Sequence, residues 1–112
     1  MSDIELTVET TPAGPLLRLA GELDYISAPQ VVEALQHITL EPAQRLIVDL
    51  SALTFCDSRG IATLIAARNK AHAADAELAL AAVSDRLMHI MNVLGLSRLL
   101  LIYPTVEAAI GR

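Results

Sequence analysis

The run Asp57-Ser58-Arg59-Gly60 is the segment of this sequence whose residue types are best suited to chemistry. It stands between an apolar run and a segment with helical periodicity that begins at Ile61, so Ser58 is expected at the N-terminus of a helix. Free backbone amides and the positive end of the helix dipole favour an added anion at such a position. Ser58 is therefore a candidate phosphate site, and a plain helix cap at Asp57 or Ser58 is the alternative.

The same segment approaches the Gly-x-Ser-x-Gly nucleophile elbow of serine hydrolases. It lacks the first glycine of that elbow, and a chain of 112 residues is much shorter than such an enzyme. The histidines fall within predicted helices, away from the loop edge where a general base would reach Ser58; they are His37, His72 and His89. We predict no enzyme and no catalytic residue, with a small serine hydrolase that uses Ser58 as the alternative from another class.

Other reactive side chains form weaker patterns. Asp49 and Lys70 suggest the phospho-acceptor site of a receiver domain, but no acidic pair follows the first strand to hold magnesium. Cys56 is the single cysteine and has no partner at metal-ligand spacing, so we expect it to be a small buried apolar residue. The sequence predicts no metal site and no cofactor.

Composition limits the possible partners. The chain fits one domain, and 54% hydrophobic residues with five Gly and five Pro are typical of a folded protein. Thirteen acidic and eight basic residues give a net charge of −5 without a basic cluster, which argues against direct nucleic-acid binding. Apolar stretches end well before the roughly 20 residues of a membrane span. With no signal-like opening, we expect a cytoplasmic protein without a membrane partner.

Periodicity predicts the elements that hold Ser58 in place. Alternating apolar residues predict a strand near 4–9, and an extended apolar run predicts another near 16–20, after a turn rich in Pro and Gly. Ser27 and Gln30 resemble a capping box that begins a helix ending near Glu41. The remaining predicted elements are a strand at 46–50, a helix from about Ile61 to about Ala74, a strand at 77–82, a helix from Ser84 to Gly95, a strand at 99–102 and a short helix after Pro104.

This order of elements predicts the architecture. Strand–helix–strand crossovers imply parallel pairing with right-handed connections after an antiparallel hairpin. We predict a single α/β domain over residues 1–112, with a mixed, mostly parallel sheet of about five strands and helices mainly on one face. The loops that follow parallel strands share one edge of the sheet, so Asp24 and Ser58 should lie side by side.

Four blocks of the sequence lie in order along nearly the whole chain. They are Gly21-Glu22-Leu23-Asp24, then Leu46 to Ser51 leading through Phe55 to Asp57-Ser58-x-Gly60, then Met91-x-x-Leu94-Gly95-Leu96, and Tyr103 before Val106-Glu107-x-Ala109. In order and spacing these blocks resemble the STAS domain family, specifically its stand-alone bacterial anti-sigma-factor antagonists. The resemblance implies one STAS domain over residues 1–112.

The resemblance also implies a partner switch. The unphosphorylated chain would bind an anti-sigma factor that is a serine kinase and so release a sigma factor, and phosphorylation of Ser58 would end that binding. ATP and Mg²⁺ would belong to the kinase, and a PP2C-like phosphatase would restore the hydroxyl. A second interpretation within the family is a signalling or scaffold module in a stress-sensing assembly without a dedicated sigma factor.

The implied partner-binding residues are Asp24, Asp57, Ser58 and Arg59, of which Arg59 stands where the family more often has Ser or Thr. We expect Asp24 to be an interface residue rather than a core residue, so that replacement by alanine changes the free energy of unfolding by less than about 1 kcal/mol. We expect Arg59 to be exposed on the first helical turn, where it can pair with a phosphate on Ser58.

Overall fold

The computed structural model describes residues 3–111, in which strands and helices alternate after an opening hairpin. The strands are β1 (Ile4–Thr11), β2 (Gly14–Leu23), β3 (Arg45–Cys56), β4 (Glu77–Ala81) and β5 (Leu101–Tyr103). The helices are α1 (Ala28–Gln36), α2 (Ser58–Ala73), α3 (Asp85–Val93) and α4 (Val106–Ile110), and a 3-10 turn spans Leu96–Arg98. The helices of this described segment are all too short or too polar to span a bilayer.

The sheet has the order β1-β2-β3-β4-β5, so strands that follow one another in the sequence are neighbours in space. β1 and β2 pair antiparallel, and each later pair is parallel. This arrangement confirms the predicted mixed sheet. It also brings the ends of β2 and β3, and the loops that follow them, to one edge of the domain.

The helices divide unequally between the two faces of the sheet. α1, α2 and α3 bury residues such as Val31, Leu64 and Met91 against one face, which forms the larger core. α4 packs Ala109 on the opposite face, over Ile47 and its neighbours. The prediction of helices mainly on one face is confirmed. The handedness rule for crossovers concerns a helix that connects two parallel strands. It makes no prediction for α4, because no strand follows this helix in the described chain.

β3 is longer than the apolar run that predicted it. Strand pairing with β2 continues beyond Leu50, through Gly21 with Leu53 to Leu23 with Cys56, after register shifts next to Arg18 and Gly21. Most side chains of 51–55 are exposed, so this half of the strand carries no hydrophobic signal. The extension fixes the position from which α2 starts.

Asp49 has a structural role in β3. Its side chain is buried, and its Oδ2 atom accepts a hydrogen bond of 2.7 Å from Nη1 of Arg18. Its Oδ1 atom accepts the backbone amide of Ser51 at 3.0 Å. Both carboxylate oxygens are therefore engaged, which gives no support to a phospho-acceptor aspartate.

Candidate functional site

Ser58 is the first residue of α2, and it is exposed. The cap of this helix is Asp57, which has an extended backbone and accepts the Gly60 amide on Oδ1 at 2.9 Å. The amides of Ser58 and Arg59 belong to the first turn, where an α-helix offers no internal acceptor. Capping by Asp57 therefore leaves Ser58 accessible for modification, beside donors that suit an anion.

Asp57 also connects the two loops of this edge. Its Oδ2 atom accepts the backbone amide of Tyr25 at 3.1 Å, and its own amide donates to the Leu23 carbonyl at 3.2 Å. The loop after β2 and the start of α2 are therefore adjacent, as predicted. One carboxylate holds both segments in a fixed relation to Ser58.

Gly60 allows α2 to begin close to the end of β2. A Cβ atom at this position would lie 2.5 Å from the Leu23 carbonyl oxygen and 2.8 Å from Sγ of Cys56. These distances are shorter than van der Waals contact, so a larger residue would push the helix away from the sheet. The Asp-Ser-x-Gly pattern thus combines a cap, an exposed hydroxyl and a close contact of helix and strand.

The structure corrects the expectation for Asp24. Asp24 is only 7% exposed, and its Oδ1 atom accepts the backbone amides of Ile26 and Ser27 at 3.0 Å each. A carboxylate that accepts amides two and three residues ahead shapes a tight turn and is satisfied when buried. Asp24 is therefore a buried turn residue rather than an exposed one, and its burial leads us to expect that its loss lowers the stability of the fold.

The capping box predicted for Ser27 is also wrong, although α1 begins next to it. The Ser27 side chain makes no capping hydrogen bond to α1. Its hydroxyl accepts the Asp24 amide at 3.0 Å and donates to the Glu22 carbonyl at 2.6 Å. Asp24 and Ser27 are thus joined by hydrogen bonds in both directions, and together they fix the loop that carries Tyr25 and Ile26.

Large apolar side chains are exposed at the same edge as Ser58. Tyr25 is 69%, Ile26 51% and Phe55 46% exposed. Apolar groups of this size grouped at one edge are typical of a protein interaction surface. We name the set Tyr25, Ile26, Phe55, Ser58 and Arg59 the Ser58 edge. The sequence patterns did not mark the three apolar members as site residues. Tyr25 and Ile26 lie in a loop between β2 and α1, where a large apolar residue has no strand or helix face to pack on, and Phe55 at the end of β3 gives no such signal.

Arg59 is exposed in the first turn of α2, as expected. No ion pair of Arg59 occurs within residues 3–111, and both carboxylate oxygens of neighbouring Asp57 accept backbone amides. A cation at a helix N-terminus is also unfavourably placed in the field of the helix dipole. The Ser58 edge therefore presents one positive charge that a negative group can neutralise.

The STAS domain family matches residues 5–109 of this chain. The chain belongs to the STAS family. An anti-sigma-B factor antagonist of Listeria monocytogenes is 34% identical to this STAS domain over 79 residues, which cover 70% of this chain and 69% of the relative. An anti-sigma factor antagonist from Mycobacterium paratuberculosis superimposes with a TM-score of 0.83 at 25% identity, covering 96% and 91% of the two chains. The Bacillus cell fate determinant SpoIIAA in its phosphorylated form gives a TM-score of 0.67 at 24% identity, covering 95% and 96%.

Cys56 does not supply this STAS domain with a reactive thiol. The residue is half-buried, and its Sγ atom lies 3.7 Å from the Asp57 carbonyl oxygen. Burial, and to a smaller extent the charge of Asp57, raise the pKa of the thiol to about 12. The thiol is therefore neutral at physiological pH and packs as a small apolar group.

The histidines of the STAS domain are not arranged as bases for Ser58. His37 follows α1, with Nδ1 3.0 Å from the Glu33 carbonyl oxygen. His72 is in the last turn of α2, about 21 Å along the helix from Ser58 at ~1.5 Å per residue, and His89 is exposed on α3. Residues 3–111 also contain no group of three or more side chains suited to a metal ion. This arrangement gives no support to a serine hydrolase.

Proposed function

We propose that this STAS domain is an anti-sigma-factor antagonist whose binding is switched off by phosphorylation of Ser58. The observation that carries the proposal is the position of Ser58, exposed at the start of α2, at the edge of the sheet where Tyr25, Ile26 and Phe55 are also exposed. A phosphate at that position would fall inside the contact surface. The name of the Listeria relative, an anti-sigma-B factor antagonist, supports the same partner class.

The partner in this proposal is an anti-sigma factor with serine kinase activity. The unphosphorylated antagonist binds it, and the sigma factor that it held is released. The kinase supplies ATP and Mg²⁺, and a PP2C-like phosphatase later restores the hydroxyl, so the STAS domain is a substrate and not a catalyst. The proposal implies a cytoplasmic protein, because sigma factors act there on RNA polymerase.

Electrostatics explains how one phosphate can end the binding. Phosphorylation adds about −1.5 to −2 charges at pH 7 to a chain whose net charge is already −5. Within the domain, the free amides of the first turn and the Arg59 guanidinium can accept that charge, so the fold need not change. In a closed interface, an unpaired phosphate costs several kcal/mol, enough for a loss of affinity of about 100-fold or more.

The site residues have different roles in this proposal. Ser58 accepts the phosphate, and Arg59 contacts the partner in one state and the phosphate in the other. Asp57 holds the loop after β2 against α2 through its hydrogen bond to Tyr25. Asp24 contributes indirectly, because its buried carboxylate shapes the turn that carries Tyr25 and Ile26. The fold can carry a phosphate, since the SpoIIAA structure is of a phosphorylated form.

Intact-mass measurement tests the proposal. The wild-type chain is incubated with ATP, Mg²⁺ and each anti-sigma factor kinase of its own organism, and we expect a gain of one phosphate group. Ser58→Ala should gain none, whereas Ser51→Ala, which alters another exposed serine, should react like the wild type. Labelling of Ser58→Ala at the wild-type rate would contradict the assignment. If the wild type is neither bound nor labelled by any such kinase, the scaffold interpretation replaces the proposed one.

A further inference from the structure

A cleft of about 250 Å³ lies between the end of β3 and α3, directly beside the Ser58 edge. Its walls are mostly apolar and include Leu50, Leu53, Phe55, Leu87 and Ile90. Phe55 belongs to both surfaces, and Cys56, which also lines the cleft, is followed directly by Asp57 and Ser58. The cleft and the Ser58 edge thus form one continuous surface.

The size of the cleft fits a side chain better than a metabolite. Pockets that bury small-molecule ligands usually have volumes of about 300–1,000 Å³, and this one is smaller. Cys56 contributes a neutral thiol to the lining, because burial raises its pKa to about 12. An apolar recess of this kind beside an interaction surface suits one large apolar side chain of a protein partner, the usual form of an interface anchor.

A positive charge lies at the same cleft. Arg86 lines it from the first turn of α3 and is exposed, and it forms no ion pair within the described residues. Like Arg59 at the start of α2, it stands where the helix dipole disfavours a cation. Asp57 and Asp85 lie next to these two arginines, but Asp57 accepts two backbone amides and neither arginine forms an ion pair within residues 3–111, so both guanidinium groups stay available to an acidic group of a partner.

We propose that this cleft is a second anchor site for the anti-sigma factor that contacts the Ser58 edge. It takes one large apolar side chain of that partner, and an acidic residue next to that side chain pairs with Arg86. The inference rests on the proposed function. It extends the contact surface from α2, across Phe55, to the first turn of α3.

A pair of charge-reversed variants tests the anchor site. Affinity is measured by calorimetry with the anti-sigma factor that binds the wild-type chain. Arg86→Glu should weaken binding by about 10-fold or more, because it places like charges in contact. Arg98→Glu makes the same change of charge in the 3-10 turn beyond the other end of α3, and it should alter affinity by less than about 2-fold. Thermal unfolding is recorded for both variants, and we expect both to remain folded.

Methyl NMR of the complex provides a second measurement that needs no substitution. The methyl signals of Leu87 and Ile90 should shift when the anti-sigma factor is added, since its side chain enters between them. Equal affinity of the Arg86→Glu and Arg98→Glu variants, or unchanged methyl signals in a formed complex, would overturn the anchor site and leave the role of Ser58 intact. Failure of the wild-type chain to bind any anti-sigma factor would instead overturn the proposed function and, with it, this inference.

Discussion

Asp24 illustrates how one buried carboxylate can organise a loop. Its Oδ1 atom accepts two backbone amides, and its own amide donates to the Ser27 hydroxyl. We expect Asp24→Ala to lower the free energy of unfolding by about 1–3 kcal/mol, because the buried amide of Ser27 and the part-buried amide of Ile26 lose their acceptor. Asp24→Asn keeps an acceptor oxygen and should cost less. Urea denaturation measures both, and an alanine variant as stable as the wild type would show that the turn does not depend on this carboxylate.

Arg59 should affect the stability of the domain when Ser58 is phosphorylated and not when Ser58 is unmodified. It is exposed and lies at the positive end of α2, so Arg59→Ser should leave the unmodified domain as stable as the wild type, within about 0.5 kcal/mol, or slightly more stable. In the Ser58-phosphorylated domain the same change should lower the melting temperature, because the phosphate loses its guanidinium partner. A large loss of stability in the unmodified variant would mean that Arg59 is structural.

We expect Cys56 to make the free energy of unfolding sensitive to alkaline pH. The folded thiol has a pKa of about 12, raised from the ordinary value of 9.0, so the folded state disfavours the thiolate more than the unfolded state does. This contribution to stability is complete below about pH 9 and is lost as the pH rises towards about 12. Comparison of urea denaturation at pH 8 and pH 10.5 should show a steeper loss for the wild type than for Cys56→Ala. Parallel losses would contradict the raised pKa.

At the scale of elements, the close contact of β2 and α2 depends on Gly60, which has no side chain. Gly60→Ala would place a Cβ atom 2.5 Å from the Leu23 carbonyl oxygen. Helix propensity alone would make this change stabilising by about 1 kcal/mol, whereas the clash predicts destabilisation by about 1–3 kcal/mol. The sign of the change in unfolding free energy therefore decides between the two effects. A stabilised variant would show that α2 is not held against β2 as described.

The sequence was informative where an element has a clear apolar face and a recognisable end. The helical spacing after Gly60 and the cap at Ser84 placed α2 and α3 correctly. The second half of β3 carries mostly exposed side chains, so only strand pairing, which acts across the chain, defines it. The burial of Asp24 was hidden for a different, local reason, because the amides of Ile26 and Ser27 reach its carboxylate only when the turn has formed.

At the scale of the whole molecule, the candidate site is held in place before any partner binds. The sheet brings two loops to one edge, and the hydrogen bond from the Tyr25 amide to Asp57 connects them. A phosphate on Ser58 would meet a preformed first turn and a neighbouring cation. The proposed switch would therefore require no unfolding, and we expect the change in charge at the contact surface to release the partner.

Incorporation of phosphoserine at position 58 during synthesis, without any kinase, allows the most direct measurement. The affinity of the anti-sigma factor is determined for the unmodified and the phosphorylated chain, and thermal unfolding is recorded for both. We predict that phosphorylation weakens binding by about 100-fold or more while the melting temperature changes little. Equal affinity of the two forms, or loss of binding only because the phosphorylated chain unfolds, would contradict the switch at Ser58.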